Sequence, residues 1–237
     1  MKIVAIIQAR MSSRRLPGKI LEDIVGSPLL AHVVRRAEAA KVFDAVIIAT
    51  STDATDDPVE KFCASQKITC FRGDLNDVLN RYVSAAAAFR ADVIVRHTAD
   101  CPLLDPAVIK KVVQSFDPNT LDYASNVMPR TYPKGLDTEV FSVAALKKVN
   151  ELATLPADRE HVTLYIRNHP DVFRIGSVTQ ERDLSALRWT VDEPADLEFV
   201  RAVYKELGDG MFGQREILDL LEQKPELSKI NSHIPNP

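Results

Sequence analysis

Four apolar, β-branched segments alternate with four helical patterns up to Phe116, and this alternation restricts the fold more than any other feature. The segments predicted as strands read "KIVAIIQ", "AVIIATS", "ITCFRG" and "DVIVRHT". Each is followed by apolar residues at helical spacing, most clearly in "DLNDVLNRYVSAAAAFR". Repeated strand–helix units predict a mostly parallel sheet covered by helices on both faces, a three-layer α/β fold. Right-handed crossovers place the carboxyl ends of the strands along one edge, where ligands bind in such sheets.

The regular rhythm ends after Phe116. Residues 117–140 are rich in proline and aromatic residues and lack a long periodic run, so we expect short antiparallel strands there. We treat the chain as one nucleotide-binding domain, 1–237, in which 117–177 form an inserted lobe on the substrate and dimer side. "ALRWTVD" is predicted as a late strand. Ser27 is expected to cap the first helix, with Pro28 at its first position.

The overall charge excludes several partners. The net charge is −3 and the pI is near 6.0, so no global field draws the protein to nucleic acid or to an anionic membrane. The three cysteines, Cys63, Cys70 and Cys101, contain no C-x-x-C pair, which argues against disulfide frameworks and zinc sites. No segment resembles a signal peptide or a membrane span, and we expect a cytoplasmic protein.

Four cations crowd the loop after the first strand: Arg10, Arg14, Arg15 and Lys19. The loop matches neither the G-x-x-x-x-G-K-[ST] phosphate loop nor the G-x-G-x-x-G dinucleotide fingerprint. Guanidinium and ammonium groups nevertheless suit phosphate oxygens, and the N–H groups near Ser12, Ser13 and Gly18 could add an anion-binding nest. The alternative is that these cations are solvated loop residues paired with nearby carboxylates.

Several segments together resemble one family of enzymes. "QARMSSRRLPGKIL" resembles the N-terminal signature of the cytidylyltransferases that activate acidic sugars, including CMP-KDO and CMP-acylneuraminate synthetases. Within that group it is most similar to the spore-coat polysaccharide biosynthesis protein F family. Further blocks occur in the family's order: "FRGDLNDVLNRY", "TADCPLLDP", "YPKGLDTEVFS", "REHVTLYIRNHP" and "LRWTVDEPADLEFV".

The resemblance implies a GT-A-like nucleotide-diphospho-sugar transferase fold and transfer of CMP from CTP to a sugar acid, with release of pyrophosphate. It also implies a homodimer and a role in surface polysaccharide biosynthesis. Arg10, Ser12, Ser13, Arg15 and Lys19 would lie at the triphosphate. Such a reaction needs Mg²⁺ to offset phosphate charge.

By the same resemblance, Asp100 and Asp192 would be the metal ligands. Both follow predicted strands, which favours convergence at the sheet edge. The alternatives are that Asp192 caps the helix of "DEPADLE" and that Asp100 is a turn residue before Pro102. Glu193 and Asp105 are expected to be helix caps.

Six further residues complete the predicted site. Arg72, Asp77 and Arg81 are candidates for the nucleotide, although Asp77 and Arg81 are also spaced as a surface i, i+4 ion pair. Arg159 is a candidate for the acceptor's carboxylate, and Asp137 and Glu139 for its hydroxyls. "REHVT" could instead form a structural helix start with an internal ion pair. His97 is expected to be a buried, hydrogen-bonded residue rather than a base.

Departures from the family pattern leave the substrate open. Met11-Ser12-Ser13 stands where acylneuraminate synthetases commonly have paired glycines, and Ala99 and Cys101 flank Asp100 where KDO synthetases tend to have Gly and Glu. We therefore expect an unusual sugar acid. The alternatives are another nucleotide, another acceptor such as a phosphonate or polyol phosphate, and a non-catalytic sugar-nucleotide-binding protein.

Overall fold

A central sheet of seven strands organises the chain, for which a computed structural model describes residues 1–236. Its strand order is β5-β4-β1-β6-β8-β7-β9, and β2 and β3 form a separate hairpin. The strands are β1 (Ile3–Gln8), β2 (Asp23–Ile24), β3 (Ser27–Pro28), β4 (Ala45–Ser51), β5 (Thr69–Gly73), β6 (Val93–Thr98), β7 (Tyr123–Ser125), β8 (Glu139–Ser142) and β9 (Ile175–Ser177).

Helices cover both faces of this sheet. They are α1 (Leu29–Ala39), α2 (Asp57–Gln66), α3 (Val78–Ala88), α4 (Pro106–Gln114), α5 (Val143–Leu152), α6 (Pro156–Glu160), α7 (Leu164–Asn168), α8 (Pro194–Leu207) and α9 (Gln214–Gln223). Two apolar clusters fill the space between the sheet and these helices, one on each face. Within residues 1–236, no helix is long and apolar enough to cross a bilayer.

The parallel half of the sheet confirms the predicted strand–helix order. β1 pairs in parallel with both β4 and β6, and β4 pairs in parallel with β5. Val4, Ala5, Ile6 and Ile7 are fully buried, because helices cover both faces of the central strand. The three-layer α/β fold is therefore confirmed, and the carboxyl ends of β1 and β6 lie side by side.

The short strands predicted for residues 117–140 correspond to β7 and to β8, which begins at Glu139; both extend this same sheet, and β9 is added beside β7. β8 runs antiparallel to β6 and to β7, and β7 runs parallel to β9. The segment 126–138 enters β8 at the edge where β6 ends. The Asn126 side chain holds this segment closed by donating to the Leu136 carbonyl at 2.7 Å and accepting from the Thr138 N–H at 2.8 Å.

Two local predictions are wrong. Ser27 does not cap α1, because Ser27 and Pro28 pair with β2 in a hairpin and α1 begins at Leu29. "ALRWTVD" forms no strand of the sheet; it makes a single bridge, between Arg188 and Lys134. The Val191 N–H nevertheless donates to the Asp100 carbonyl at 2.8 Å, which holds this segment beside the end of β6.

Candidate active site

The cationic loop leaves the carboxyl end of β1 and folds back on itself. The Met11 carbonyl accepts the N–H groups of Ser13 and Gly18, both at 2.9 Å, and the Met11 N–H donates to Asp56 at 2.7 Å. Gly18 has a φ of +74°, a left-handed conformation that glycine adopts without a Cβ penalty. The expected nest is therefore not formed at Ser13 and Gly18, whose N–H groups are used inside the loop.

Lys19 is the point at which the loop meets the two aspartates. Its Nζ lies 3.3 Å from Asp100 Oδ2 and 2.9 Å from Asp192 Oδ1, and donates to the Val191 carbonyl at 2.6 Å. Only 7% of Lys19 is exposed. Burial opposes the charged form, but attraction to Asp100 and Asp192 outweighs it and raises the pKa of Lys19. The ammonium is therefore permanently charged at neutral pH.

The loop arginines differ in their contacts. Arg15 is half-exposed, and its guanidinium lies 3.1 Å from Asp192 and 3.5 Å from Glu193. Arg10 pairs with Glu160 of α6 at 3.2 Å. Arg14 and Ser12 are exposed. Arg15 and Lys19 thus meet the carboxylates directly, whereas Arg10 lies towards α6.

Asp100 and Asp192 converge although they come from different parts of the chain. Asp100 follows β6 and accepts from Thr98 Oγ1 at 2.5 Å, and the bond from Val191 brings Asp192 to the same edge. Asp192 does not cap α8, because the capping box is formed by Glu193 and Asp196. The expected cap role of Glu193 is confirmed, as is that of Asp105, which accepts from the N–H groups of Ala107 and Val108.

The charge state of Asp192 follows from its surroundings. Burial would raise its pKa, but Lys19, Arg15 and Arg188 hold that pKa below the ordinary value. Arg188 donates to Asp192 at 3.2 Å and to Asp196 at 2.8 and 2.9 Å. Asp192 is therefore an ionised carboxylate whose position is fixed by the hydrogen bond from Arg188.

The donor set fits Mg²⁺ as a two-carboxylate site. Among residues 1–236, no group of three or more His, Cys, Asp or Glu side chains could hold a metal by itself. Mg²⁺ commonly takes one or two carboxylates and completes its shell with water and phosphate oxygens. The Lys19 ammonium already occupies the point where Asp100 and Asp192 converge, which shows that this point attracts a cation.

Three predicted site residues make contacts away from these carboxylates. Arg72 pairs with Asp57 and Glu60, each at 2.7 Å, and so joins β5 to α2. Asp77 caps α3 by accepting from the Asn80 N–H at 2.9 Å. Arg81 is 1% exposed rather than on a polar surface, and donates to the Asp74 carbonyl at 2.8 Å. The alternative of an Asp77–Arg81 surface pair is wrong, and the nucleotide roles of all three residues stay predictions.

The predicted acceptor residue Arg159 is already engaged. Its guanidinium lies 2.6 Å from Asp77, donates to the Asn150 side chain at 2.9 Å and to the Ala153 carbonyl at 3.1 Å. These contacts join α6 to the N-terminus of α3. The ion pair of Arg159 thus runs to Asp77 rather than inside "REHVT", and α6 starts at Pro156, so the structural alternative is not met as stated. Arg159 is nevertheless engaged by three protein partners, and its role towards an acceptor carboxylate stays a prediction.

Asp137 and Glu139 lie in different environments. Asp137 is partly exposed and forms a two-bond pair with Arg130, at 2.6 and 2.7 Å. Glu139 is buried and pairs with Arg96, while Tyr123 and Thr163 each donate to it at 2.6 Å. Burial would raise the pKa of Glu139, but these partners hold it below the ordinary value. The expectation that Glu139 binds an acceptor hydroxyl is therefore not met, because both of its oxygens are used inside the core.

A match to a known family completes this description. The cytidylyltransferase family model matches residues 4–224. The chain belongs to the cytidylyltransferase family. Its sequence is 34% identical to the spore coat polysaccharide biosynthesis protein SpsF of Bacillus subtilis, over 94% of this chain and 95% of that protein.

Other relatives of this cytidylyltransferase agree with the family resemblance. The structure of a cytidylyltransferase from Leptospira borgpetersenii superposes with a TM-score of 0.92 at 30% identity, covering 96% of each chain. A 3-deoxy-manno-octulosonate cytidylyltransferase from Geobacter metallireducens is 36% identical over 48% of this chain and 44% of its own length. The predicted family and its fold are thus confirmed.

The residues that hold Asp192 in this cytidylyltransferase were not among those predicted from its sequence. Arg188 and Asp196 lie four residues before and after it, and Asn231 donates to Asp196 at 3.0 Å. The i, i+4 charge spacing was a usable signal. It was hidden because "ALRWTVD" resembles a buried strand, in which such spacing has no meaning.

Proposed function

We propose that this cytidylyltransferase transfers CMP from CTP to a sugar acid of the KDO or nonulosonic type and releases pyrophosphate. One observation carries the proposal: Lys19 and Arg15, from the loop after β1, meet Asp100 and Asp192 at a single edge of the sheet. Cations for a polyphosphate and carboxylates for a divalent metal are the two groups that nucleotidyl transfer requires.

The protein residues would act by positioning and by charge. Arg15, half-exposed, can turn from Asp192 and Glu193 towards a phosphate oxygen, and Arg10 can do the same from Glu160. The Lys19 ammonium donates to the Val191 carbonyl, and this bond would keep it beside Asp100 and Asp192 when a phosphate binds. Binding both substrates in line lowers the barrier without a covalent intermediate.

Asp100 and Asp192 would hold Mg²⁺, which when bound neutralises negative charge on the phosphates. Lys19, Arg15 and Arg188 together keep Asp192 ionised, and the hydrogen bond from Arg188 orients it for this task. His97 is not proposed as a base, because it is 1% exposed and burial lowers its pKa to about 4.

The sugar-acid acceptor is supported by the relatives. The Geobacter metallireducens protein is named for a sugar acid, 3-deoxy-manno-octulosonate, and SpsF is named for spore coat polysaccharide biosynthesis. The departures at Ala99 and Cys101 favour a sugar acid other than KDO itself. A role in surface polysaccharide synthesis follows.

Pyrophosphate release from CTP, measured with Mg²⁺ and a panel of sugar acids, tests this function. We expect one acid to support release, and Asp100→Asn and Asp192→Asn to lower the rate by about 100-fold or more. Asp219→Asn, an exposed change on α9, is the matched control and should keep full activity. Binding of CTP and sugar without release, in the wild-type protein, would leave only the sugar-nucleotide-binding alternative. Release with another triphosphate, or with a phosphonate or polyol phosphate as acceptor, would favour the alternative of a nucleotidyltransferase with a different nucleotide or acceptor.

We also propose a cytoplasmic homodimer that associates through residues 117–177. Two exposed leucines support this surface: 64% of Leu155 and 42% of Leu152 are exposed. Cys63, Cys70 and Cys101 are free thiols, which suits a reducing compartment. Sedimentation should show that the wild type is a dimer and that Leu155→Asp is a monomer. A monomeric wild type would refute the proposed dimer.

A further inference from the structure

Lys134 is fixed beside the candidate active site by its backbone. Its N–H donates to the Leu187 carbonyl at 2.9 Å, and its carbonyl accepts from the Trp189 N–H at 2.7 Å. The next residue, Gly135, packs so tightly that a Cβ would lie 2.6 Å from the Trp189 carbonyl carbon. The segment that carries Lys134 therefore sits directly on the segment that leads to Asp192.

The ammonium of Lys134 differs from the cations around it. Within residues 1–236 it has no hydrogen-bond or ion-pair partner, although the residue is partly buried. Its neighbours are all engaged: Arg130 with Asp137, and Arg188 with Asp192 and Asp196. Burial, followed by the charge of Arg188, lowers the pKa of Lys134, and Asp192 and Asp137 oppose this only in part. An anion bound here would gain a charge-assisted hydrogen bond from an otherwise unpaired side chain and would favour the charged form of Lys134.

The topology indicates which anion this is. Asp100 follows β6, the loop with Arg15 and Lys19 follows β1 on one side of β6, and the segment with Lys134 precedes β8 on the other side. The triphosphate cations thus approach the carboxylates from the β1 side. Lys134 approaches from the β8 side, where the second substrate must lie if it is to attack opposite the leaving pyrophosphate.

We propose that Lys134 binds the carboxylate of the sugar-acid acceptor and determines specificity for an acid over a neutral sugar. This inference rests on the proposed function. It assigns to Lys134 the task that the sequence suggested for Arg159, which is bound instead to Asp77, Asn150 and Ala153. The neighbouring Arg130–Asp137 pair would stay available for hydroxyl groups.

Steady-state kinetics of Lys134→Gln, Lys134→Arg and wild type test the proposal. The acceptors are the sugar acid that supports release and its neutral carboxamide. Loss of a charge-assisted hydrogen bond should lower kcat/KM for the acid by on the order of 10- to 100-fold in Lys134→Gln, mainly through KM. Wild type should prefer the acid to the amide, and Lys134→Gln should lose that preference while its KM for CTP stays unchanged. Lys134→Arg should recover part of it.

Controls separate this role from a structural one. Lys110→Gln, an exposed lysine on α4 outside residues 117–177, is the matched control and should behave as wild type. A rise in the KM for CTP alone would assign Lys134 to the triphosphate and overturn the proposal. Equal turnover of acid and amide by the wild type would also overturn it, even if Lys134→Gln does not fold. If no sugar acid supports release by the wild type, the proposed function fails and this inference with it.

Discussion

Lys19 Nζ lies 2.9 Å from Asp192 Oδ1, although 173 positions separate the two residues in the chain. The contact joins the loop after β1 to the segment before α8, and Asp100 shares the same ammonium. A cation is thus held between the two carboxylates in the protein alone. The two carboxylates repel each other, and attraction to the Lys19 ammonium offsets this repulsion.

Lys19→Met should destabilise the protein and abolish most activity. Removing the ammonium leaves Asp100 and Asp192 close together without their cation, so we expect the free energy of unfolding to fall by roughly 1–3 kcal/mol, less than for a fully buried pair. Pyrophosphate release should fall by about 100-fold or more. Urea unfolding should show that Mg²⁺ stabilises this variant more than the wild type, relative to EDTA. Unchanged stability of the variant in EDTA, with Lys110→Met as control, would contradict the expected role of the ammonium.

Gly135→Ala should disturb the site through the backbone. Gly135 has a φ of +114°, and an added Cβ would lie 2.6 Å from the Trp189 carbonyl carbon and 2.7 Å from Thr190 N. The segment 187–192 would have to move, and Asp192 with it. We expect a loss of roughly 2–4 kcal/mol in stability, from backbone strain plus the contact, together with a loss of activity.

Gly26→Ala is the matched control for this change. Gly26 also has a positive φ, +84°, but a Cβ there meets nothing within 4 Å. The stability of Gly26→Ala should therefore fall only by the backbone-strain contribution, about 1–2 kcal/mol, and the variant should keep its activity. Equal losses in the two variants, measured by chemical unfolding, would show that the contact with Trp189 has no effect.

Local patterns in the sequence predicted the alternation of strands and helices and the sheet edge at which the candidate site lies. The β-branched run of β1 and the helical spacing of apolar residues in α3 reflect which faces of these elements are buried. Such patterns can be read from a short stretch of sequence. The position of Asp100 followed from the end of β6, because parallel strands end at one edge. These features needed no knowledge of distant partners.

Side-chain partners could not be predicted in the same way. Arg159 and Asp77 are far apart in sequence, and only the packing of α6 against α3 brings them together. Glu139 is of a residue type that often binds ligands. Its carboxylate is nevertheless buried and bonded to Arg96, Tyr123 and Thr163. "ALRWTVD" has a strand's composition but makes one bridge only, to Lys134, and its Val191 N–H donates to Asp100, which lies in the loop after β6. Tertiary contacts decided each case.

Cys70 should react with iodoacetamide faster than the other two thiols. The Cys63 thiol donates to Cys70 and lowers the pKa of Cys70, whereas burial raises the pKa of Cys101. Cys63 is 1% and Cys101 4% exposed, while Cys70 is partly exposed. Mass spectrometry of timed labelling at pH 7.5 should find Cys70 modified first. Cys63→Ala should slow that modification, and faster labelling of Cys101 in the folded wild type would contradict the expectation.

His97 should make the stability of the protein depend on pH between about 6.5 and 4. The side chain is 1% exposed, its Nδ1 lies 3.2 Å from the Asp137 carbonyl, and Nε2 has no partner within residues 1–236. Burial is the main cause that lowers its pKa from 6.5 to about 4. The unfolded chain therefore binds a proton in this pH range that the folded protein does not bind.

The sign of this effect follows from linkage. Stability from His97 is complete above pH 6.5 and is lost as the pH falls towards 4, by up to about 3 kcal/mol. Urea unfolding of wild type and His97→Gln at pH 7, 6 and 5 isolates this contribution, because all other titrating groups are common to both proteins. The free energy of unfolding of the wild type should fall more steeply with acidification than that of the variant. Parallel pH dependences would mean that the pKa of His97 is the same in the folded and unfolded protein, and would contradict this expectation.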